Sequence, residues 1–523
     1  MTAREIEVHV DLEGRPRRVG TLWTETARGR ETATFQYHPN WLAAPDRFAL
    51  EPALPAGTGS FVPGGRRAMF GSLGDSAPDT WGRRLMQRAE RRAAAREHRT
   101  VCTLTESDYL LGVSDVSRLG ALRFREAGDG PFLAASDSAS VPPLVELPRL
   151  LGVTDRLHRN EETDEDVRLL FAPGSSLGGA RPKASVRGRD DGLWIAKLPK
   201  PDDDYSVERW EAVAMDLASA AGIRVPEHEL LEVSGRPALV TRRFDREGGD
   251  RVPFLSALAM LGLEDGDRAS YPEIVDAMRA QGNTAGGDAG ELFRRVAFNV
   301  LVSNVDDHLR NHGFLWRGAD GWRLSPAYDL NPVPQDVKAR ILSTNIDLDE
   351  GTCSLDLLRG SAGYFGLSAA EARSTVSDVA GAVADWREAA ARRGAPAAEI
   401  RRMESAFEHA DLREALADRR QYAVKAVPGN APIPLRADGA GSADRRRAQA
   451  ELKPLSDAEL LERLRATVDA IASVGTDRRE RLRLEFSVAV GRDELERRGL
   501  QRPTWLPASD RTPQRDPARD RGR

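Results

Sequence analysis

The chain has 523 residues, 40% hydrophobic and 30% charged, with 76 Lys and Arg against 81 Asp and Glu for a formal net charge of −5. That length exceeds one ordinary core, so two or more domains are expected, and the near balance of charge excludes a chain drawn as a whole to nucleic acid. No stretch approaches about eighteen consecutive apolar residues. The charged start MTAREIEVHVDLEGR also lacks the apolar run of a signal peptide, so a cytoplasmic protein without a membrane is expected. Cys102 and Cys353 lie far apart and read as intracellular thiols rather than a metal cluster.

Residues 5–12, EIEVHVDL, alternate polar and apolar, EGRPRRVGTLW turns into a second strand, and TATFQYHPNWL supplies a third. GDSAPDTWGRRLMQRAERRAAAREH is a Pro-Asp turn followed by a helical run. GALRFREAGDGPF closes a β/α module over residues 1–125, and the Gly/Ala/Ser/Pro-rich stretch 126–145 reads as a linker. A β-rich lobe is expected over 146–250. It begins with the Gly-rich FAPGSSLGGARPKASV and continues into the strand DGLWIAKLPK, which carries Lys197. A helix SVERWEAVAMDLASAAG and the hairpin HELLEVSGRPALVTRRFDR complete it. Residues 251–425 read as a mostly α-helical lobe, with helices in 271–304 and 368–420. Residues 426–508 read as a linker and helical appendage opened by a Ser456/Glu459 capping box, and 509–523 as a disordered tail.

The densest chemistry lies in SNVDDHLRNHGFLWRGADGWRLSPAYDLNP, residues 303–332. Transfer of a phosphoryl group from a nucleotide needs a divalent metal on oxygen ligands, a carboxylate for the acceptor hydroxyl and a cation on the phosphates. Asp306 and Asn311 have the spacing of base and metal ligand in a kinase catalytic loop, and a hairpin then returns Asp329 toward them. His308 is a candidate ligand, base or loop organiser. Asp307 and Arg310 read as solvated loop charges. Lys197 is the candidate phosphate cation, paired with Glu208 or Glu211 on the next helix. In GSSLGGARPK, Gly178 and Gly179 let backbone N–H groups approach phosphate oxygens without a Walker A sequence. The Asp306, Asp307, His308 run is also compatible with a metal-dependent phosphohydrolase. A third reading is a catalytically silent corepressor.

SSLGGARPK, IAKLP, TRRFDR, SNVDDHLRN and PAYDLNP together resemble the motifs of the HipA-like serine/threonine kinases, toxins of bacterial toxin–antitoxin modules, over residues 5 to about 420. GDSAPDTWGRRL and DYLLGVSDVSRLGALRF are similar to that family's N-terminal module. The resemblance implies an α+β, divergent two-lobed protein-kinase-like fold using ATP and Mg2+. It makes Asp306 the base, Asn311 and Asp329 magnesium ligands, and Lys197 a phosphate contact. It also makes Ser176, rather than Ser175, the autophosphorylated serine and places Phe244 against adenine. Implied partners are a small helix-turn-helix, HipB-like antitoxin, operator DNA through that antitoxin, and a protein acceptor such as an aminoacyl-tRNA synthetase. The region beyond about residue 425 exceeds the usual family length.

Overall fold

The computed structural model describes residues 2–425 apart from 129, 135–140, 172–178 and 283–286. Beyond these it describes 452, 455–473 and scattered positions from 488 to 506. Met1–Leu416 forms one compact unit and Ala417–Arg523 a second.

The first unit opens with an antiparallel sheet. Strands Thr2–Leu12, Arg15–Ala27 and Arg30–Tyr37 run as a meander, and Leu122–Glu126 adds to the free side of the first. Leu12 pairs with Arg15 and Ala27 with Arg30, so both hairpins turn on two residues. Glu13-Gly14 and Arg28-Gly29 all take positive φ, the backbone that a two-residue turn between twisted strands demands. Alternation then sends Ile6, Val8 and Val10 into the core. Helix Thr80–Arg96 follows, its first turn capped by the Asp79 carboxylate accepting from Gly82 N at 2.7 Å.

A second antiparallel sheet forms the β-rich lobe. Lys183–Arg187, Leu193–Lys197, Arg236–Arg242 and His228–Val233 lie side by side in that order. Helix Val207–Ala220, capped by Ser206, packs beside it with Val213 and Leu217 buried. Helices Leu147–Arg159 and Asp164–Phe171 precede the sheet, within the stretch assigned to this lobe from sequence.

The third part is mostly helical, with Tyr271–Ala280, Asp288–Val302, Ala369–Val383, Trp386–Arg392 and Ala397–Phe407 around a core including Phe293, Phe298 and Trp386. The expected hairpin is present as Gly313–Trp316 and Trp322–Leu324, joined by Phe254–Ser256 into a three-stranded sheet.

The N-terminal module is locked to both lobes by buried charge. The Arg243 guanidinium donates to the carbonyls of Ser117 (2.5 Å) and Arg118 (3.0 Å) and pairs with Asp245, which accepts from Gly120 N at 2.8 Å. Asp75 accepts from Ser256 N (2.7 Å) and Ser256 Oγ (2.8 Å). In the second unit, helix Asp457–Ser473 carries the expected capping box. Leu460 and Leu464 bury with Leu452, Val488, Leu495 and Leu506. Among the described residues no helix is long and apolar enough to cross a membrane.

Candidate active site

Lys197 ends its strand with its ammonium inside the protein, 2.6 and 2.8 Å from the two Glu211 oxygens and 2.7 Å from Asp329 Oδ1. Glu208 and Glu211 sit three apart on one face of helix Val207–Ala220, where sequence spacing cannot separate them. The structure selects Glu211. Glu208 instead takes Arg181 at 2.8 Å, which also holds Asp203. Burial disfavours the Lys197 charge, but Asp329 and Glu211 outweigh it and keep the ammonium protonated above its ordinary range. Burial likewise raises Asp329, and Lys197 followed by Lys183 overcome it, holding that carboxylate below its usual range. Burial pushes Glu211 up, with Lys197 opposing.

The SNVDDHLRN segment begins where helix Asp288–Val302 ends on Ser303 in the left-handed conformation, φ 54°. Asp306 projects outward, with Lys338 Nζ at 3.3 Å. Asn311 donates through Nδ2 to the Asp306 carbonyl at 2.9 Å, while its buried Oδ1 has no partner among the described residues. Tyr328, beside Asp329, donates to the carbonyl of Arg310, beside Asn311, at 2.7 Å and draws the two segments together. Asp329 takes φ 58°, a conformation a β-carbon resists at a cost of about 1–3 kcal/mol. Asn331 Nδ2 donates to Asp329 Oδ1 at 3.0 Å, and its own Oδ1 is buried without a partner among the described residues.

Asp307 is not a solvated charge. It is 1% exposed and accepts from Tyr271 OH at 2.5 Å and from Ser343 N at 2.7 Å. Burial pushes it up to about 7 against these donors. The polar setting of DDH hid this, because one acid of the pair faces outward and the next faces the core. Arg310 is also committed, to Asp265 at 2.7 and 3.0 Å and to Asp75 at 3.3 Å. The histidine bonded to the loop is His312, whose Nε2 donates to the Asp307 carbonyl at 3.2 Å. Burial pushes His312 down to about 3, so it is neutral. His308 instead lines a cavity of about 880 Å³ together with Asp306, Arg310 and, from the N-terminal module, Asp75, Asp79 and Arg83.

A buried relay ties these pieces together. Asn299 Nδ2 donates to Tyr271 OH (3.1 Å), Asn304 Nδ2 donates to Asn299 Oδ1 (3.0 Å), and Asn331 N donates to Asn304 Oδ1 (3.1 Å). Sequence reasoning missed Asn331, which follows Asp329 by two residues. Phe244 lies against Tyr328 and Phe254, with ring centroids 5.4 and 6.3 Å away. Gly179 is described, with φ 99°. Ser175, Ser176 and Gly178 lie outside the described residues.

The donors suit a small hard cation. Asp329 with the unpartnered amide oxygens of Asn311 and Asn331 offers one carboxylate and neutral oxygens, the kind of set that magnesium shares with phosphates and water. Among the described residues no group of three or more His, Cys, Asp or Glu is placed to hold a metal. Asp307 faces Tyr271, so it does not join Asp306 and His308 as the phosphohydrolase reading requires.

A four-stranded lobe with a Lys–Glu pair, set over a helical lobe that returns an aspartate to the same lysine, is a two-lobed kinase-like fold. The model of the HipA N-terminal domain matches residues 8–107, and that of the HipA-like C-terminal domain matches 175–387. The chain belongs to the HipA-like family. It is 34% identical over 155 residues to a Sinorhizobium fredii protein named "Putative kinase Y4dM", covering 27% of this chain and 37% of that one. A Haemophilus influenzae protein named "Putative kinase" is 25% identical over 236 residues, covering 39% of this chain and 68% of the relative. The match thus spans little more than a third of the first relative and two thirds of the second. The fold is similar to a chain of the Shewanella oneidensis MR-1 toxin–antitoxin HipA, HipB and operator DNA complex. There the TM-score is 0.53 and the identity 17%, over 80% of this chain and 97% of that one.

Proposed function

We propose that the chain is an ATP- and magnesium-dependent protein serine/threonine kinase, the toxin of a bacterial toxin–antitoxin module. The observation that carries the reading is the single Lys197 ammonium bridging Glu211 and Asp329. Glu211 fixes the lysine, which would contact nucleotide phosphates. Asp329 and Asn311, with Asn331, would hold magnesium. The bound metal would neutralise charge on the phosphates during transfer.

Asp306 would accept the proton of the acceptor hydroxyl. Its exposed carboxylate borders the cavity that also receives His308, which gives a protein segment access from solvent. Phe244 and Tyr328 offer aromatic surface for adenine, and Gly179 ends the phosphate loop. Ser176 would be the autophosphorylated residue. The HipA, HipB and operator DNA complex of the structural relative supports a small helix-turn-helix, HipB-like antitoxin as partner, with DNA contacted through it in the cytoplasm. An aminoacyl-tRNA synthetase is the acceptor class that the family resemblance suggests.

The test is transfer from γ-labelled ATP by the full chain into host lysate, with phosphopeptides identified. Wild type should yield sites that Asp306→Asn does not, while ATP binding persists in the variant. Equal transfer by Asp306→Asn would remove Asp306 from the mechanism.

A further inference from the structure

We infer that Lys338 is a positioning residue for Asp306, a cation that orients the carboxylate proposed as base and leaves one of its oxygens for the acceptor hydroxyl. The inference rests on the kinase reading of the same site. Lys338 Nζ lies 3.3 Å from Asp306 Oδ1 and 3.4 Å from the Val305 carbonyl, so it ties the carboxylate to the backbone just before it. Asn311 Nδ2 holds the Asp306 carbonyl at 2.9 Å. Backbone and carboxylate are thus gripped separately. Asp306 Oδ2 accepts no hydrogen bond among the described residues, and Asp306 borders the cavity that also receives His308.

The cation does not come from the loop itself. Arg310 follows Asp306 by four residues, but its guanidinium is committed to Asp265 at 2.7 and 3.0 Å and to Asp75 at 3.3 Å. Lys338 arrives instead from the segment that continues past Asp329, and that segment is anchored before and after it. Val333 N donates to the Ser303 carbonyl at 3.1 Å, Gln335 N to Ser405 Oγ at 3.0 Å, and Ser343 Oγ to the Val305 carbonyl at 3.0 Å. Val337 N and Lys338 N both donate to the Pro334 carbonyl, at 3.0 and 3.3 Å, in a tight turn that presents the lysine.

The Lys338 and Asp306 side chains are 47% and 60% exposed, and an exposed ion pair adds little to stability. Its effect falls on orientation. In the transfer step the acceptor oxygen bonds to the γ-phosphorus and its proton passes to Asp306 Oδ2. The bond from phosphorus to the bridging oxygen breaks, and its electron pair leaves on ADP. Lys338 keeps its protons throughout. A base displaced by about 1 Å costs roughly a hundredfold in rate, while the nucleotide phosphates stay on Lys197.

The test uses the full chain. Label transfer from γ-labelled ATP into host lysate proteins gives kcat and the KM for ATP, calorimetry gives the affinity for Mg-ATP, and urea unfolding checks the fold. Lys338→Met should slow transfer roughly ten- to a hundredfold, with KM for ATP and Mg-ATP affinity within about twofold of wild type. Lys338→Arg keeps the charge and should restore most of the rate. Transfer by Lys338→Met at the wild-type rate overturns the inference. So does an equal loss in Lys338→Arg, or a Mg-ATP affinity that falls in step with the rate. Should Lys338→Met not fold, Lys338→Gln is held to the same outcomes. In each case wild-type transfer leaves the kinase reading standing, whereas wild type that transfers no phosphate overturns both.

Discussion

Tyr271→Phe isolates the buried end of the relay that supports the proposed catalytic loop. The ring is fully buried, and phenylalanine retains its edge contact with His312, at 5.2 Å between centroids. What goes is one hydroxyl, which donates to Asp307 Oδ2 and accepts from Asn299 Nδ2. At about pH 5.5 Asp307 is protonated, so the loss is a neutral hydrogen bond plus a stranded amide donor, together about 2 kcal/mol. The pH dependence follows from Asp307, which burial pushes to about 7 in the fold, above its ordinary 3.8. A carboxyl with a raised folded value binds its proton more tightly when folded. Its contribution is therefore full below the unfolded value and is lost as pH rises through the folded one, about 2 kcal/mol between about pH 5.5 and about pH 8.5. The Tyr271 hydroxyl is the largest influence favouring ionised Asp307. Its removal raises that group further, so the cost of Tyr271→Phe should grow to about 4 kcal/mol at about pH 8.5. Urea unfolding of the two chains at both pH values measures this, with Asp307→Asn as the reference that cannot titrate. A cost equal at both pH values, or larger at the lower one, refutes the reasoning.

Asp329→Ala should abolish magnesium-dependent ATP binding, because the remaining amide oxygens leave the metal under-neutralised; calorimetry with and without magnesium reads it. A chain ending at residue 425 should fold and transfer phosphate at the full-length rate, since Met1–Leu416 is a compact unit containing every described site residue; equal specific activity is the check. Phosphate on Ser176 would bring roughly −1.5 to −2 charges into the loop expected to cradle ATP. Mass spectrometry should find it after incubation with Mg-ATP, and the modified fraction should bind ATP more weakly.

Local chemistry was legible from the chain alone. EGR reads as a turn before the second strand, and Gly14 there takes the positive φ that a two-residue hairpin demands. Asp306, Asn311 and Asp329 could be proposed together because a short loop and one hairpin limit how far apart they fall. The motifs from SSLGGARPK to PAYDLNP identified the family, which the comparisons then gave over both domains.

Long-range choices were made only by packing. Glu211 prevails over Glu208 because the sheet sets Lys197 opposite one helical position, while Arg181 claims the other. Asp307 reads as a loop charge until Tyr271, Ser343 and Thr344 close over it from 36 and 37 residues away. Lys183 meets Lys197 only through cross-strand register, and Asp79, more than one hundred positions earlier in the chain, only through the fold. The sequence by itself determined the residue types and the short spacings that phosphoryl chemistry needs. The tertiary structure decided which charges are buried and which partners neutralise them, because desolvation and ion pairing depend on distance through space rather than along the chain.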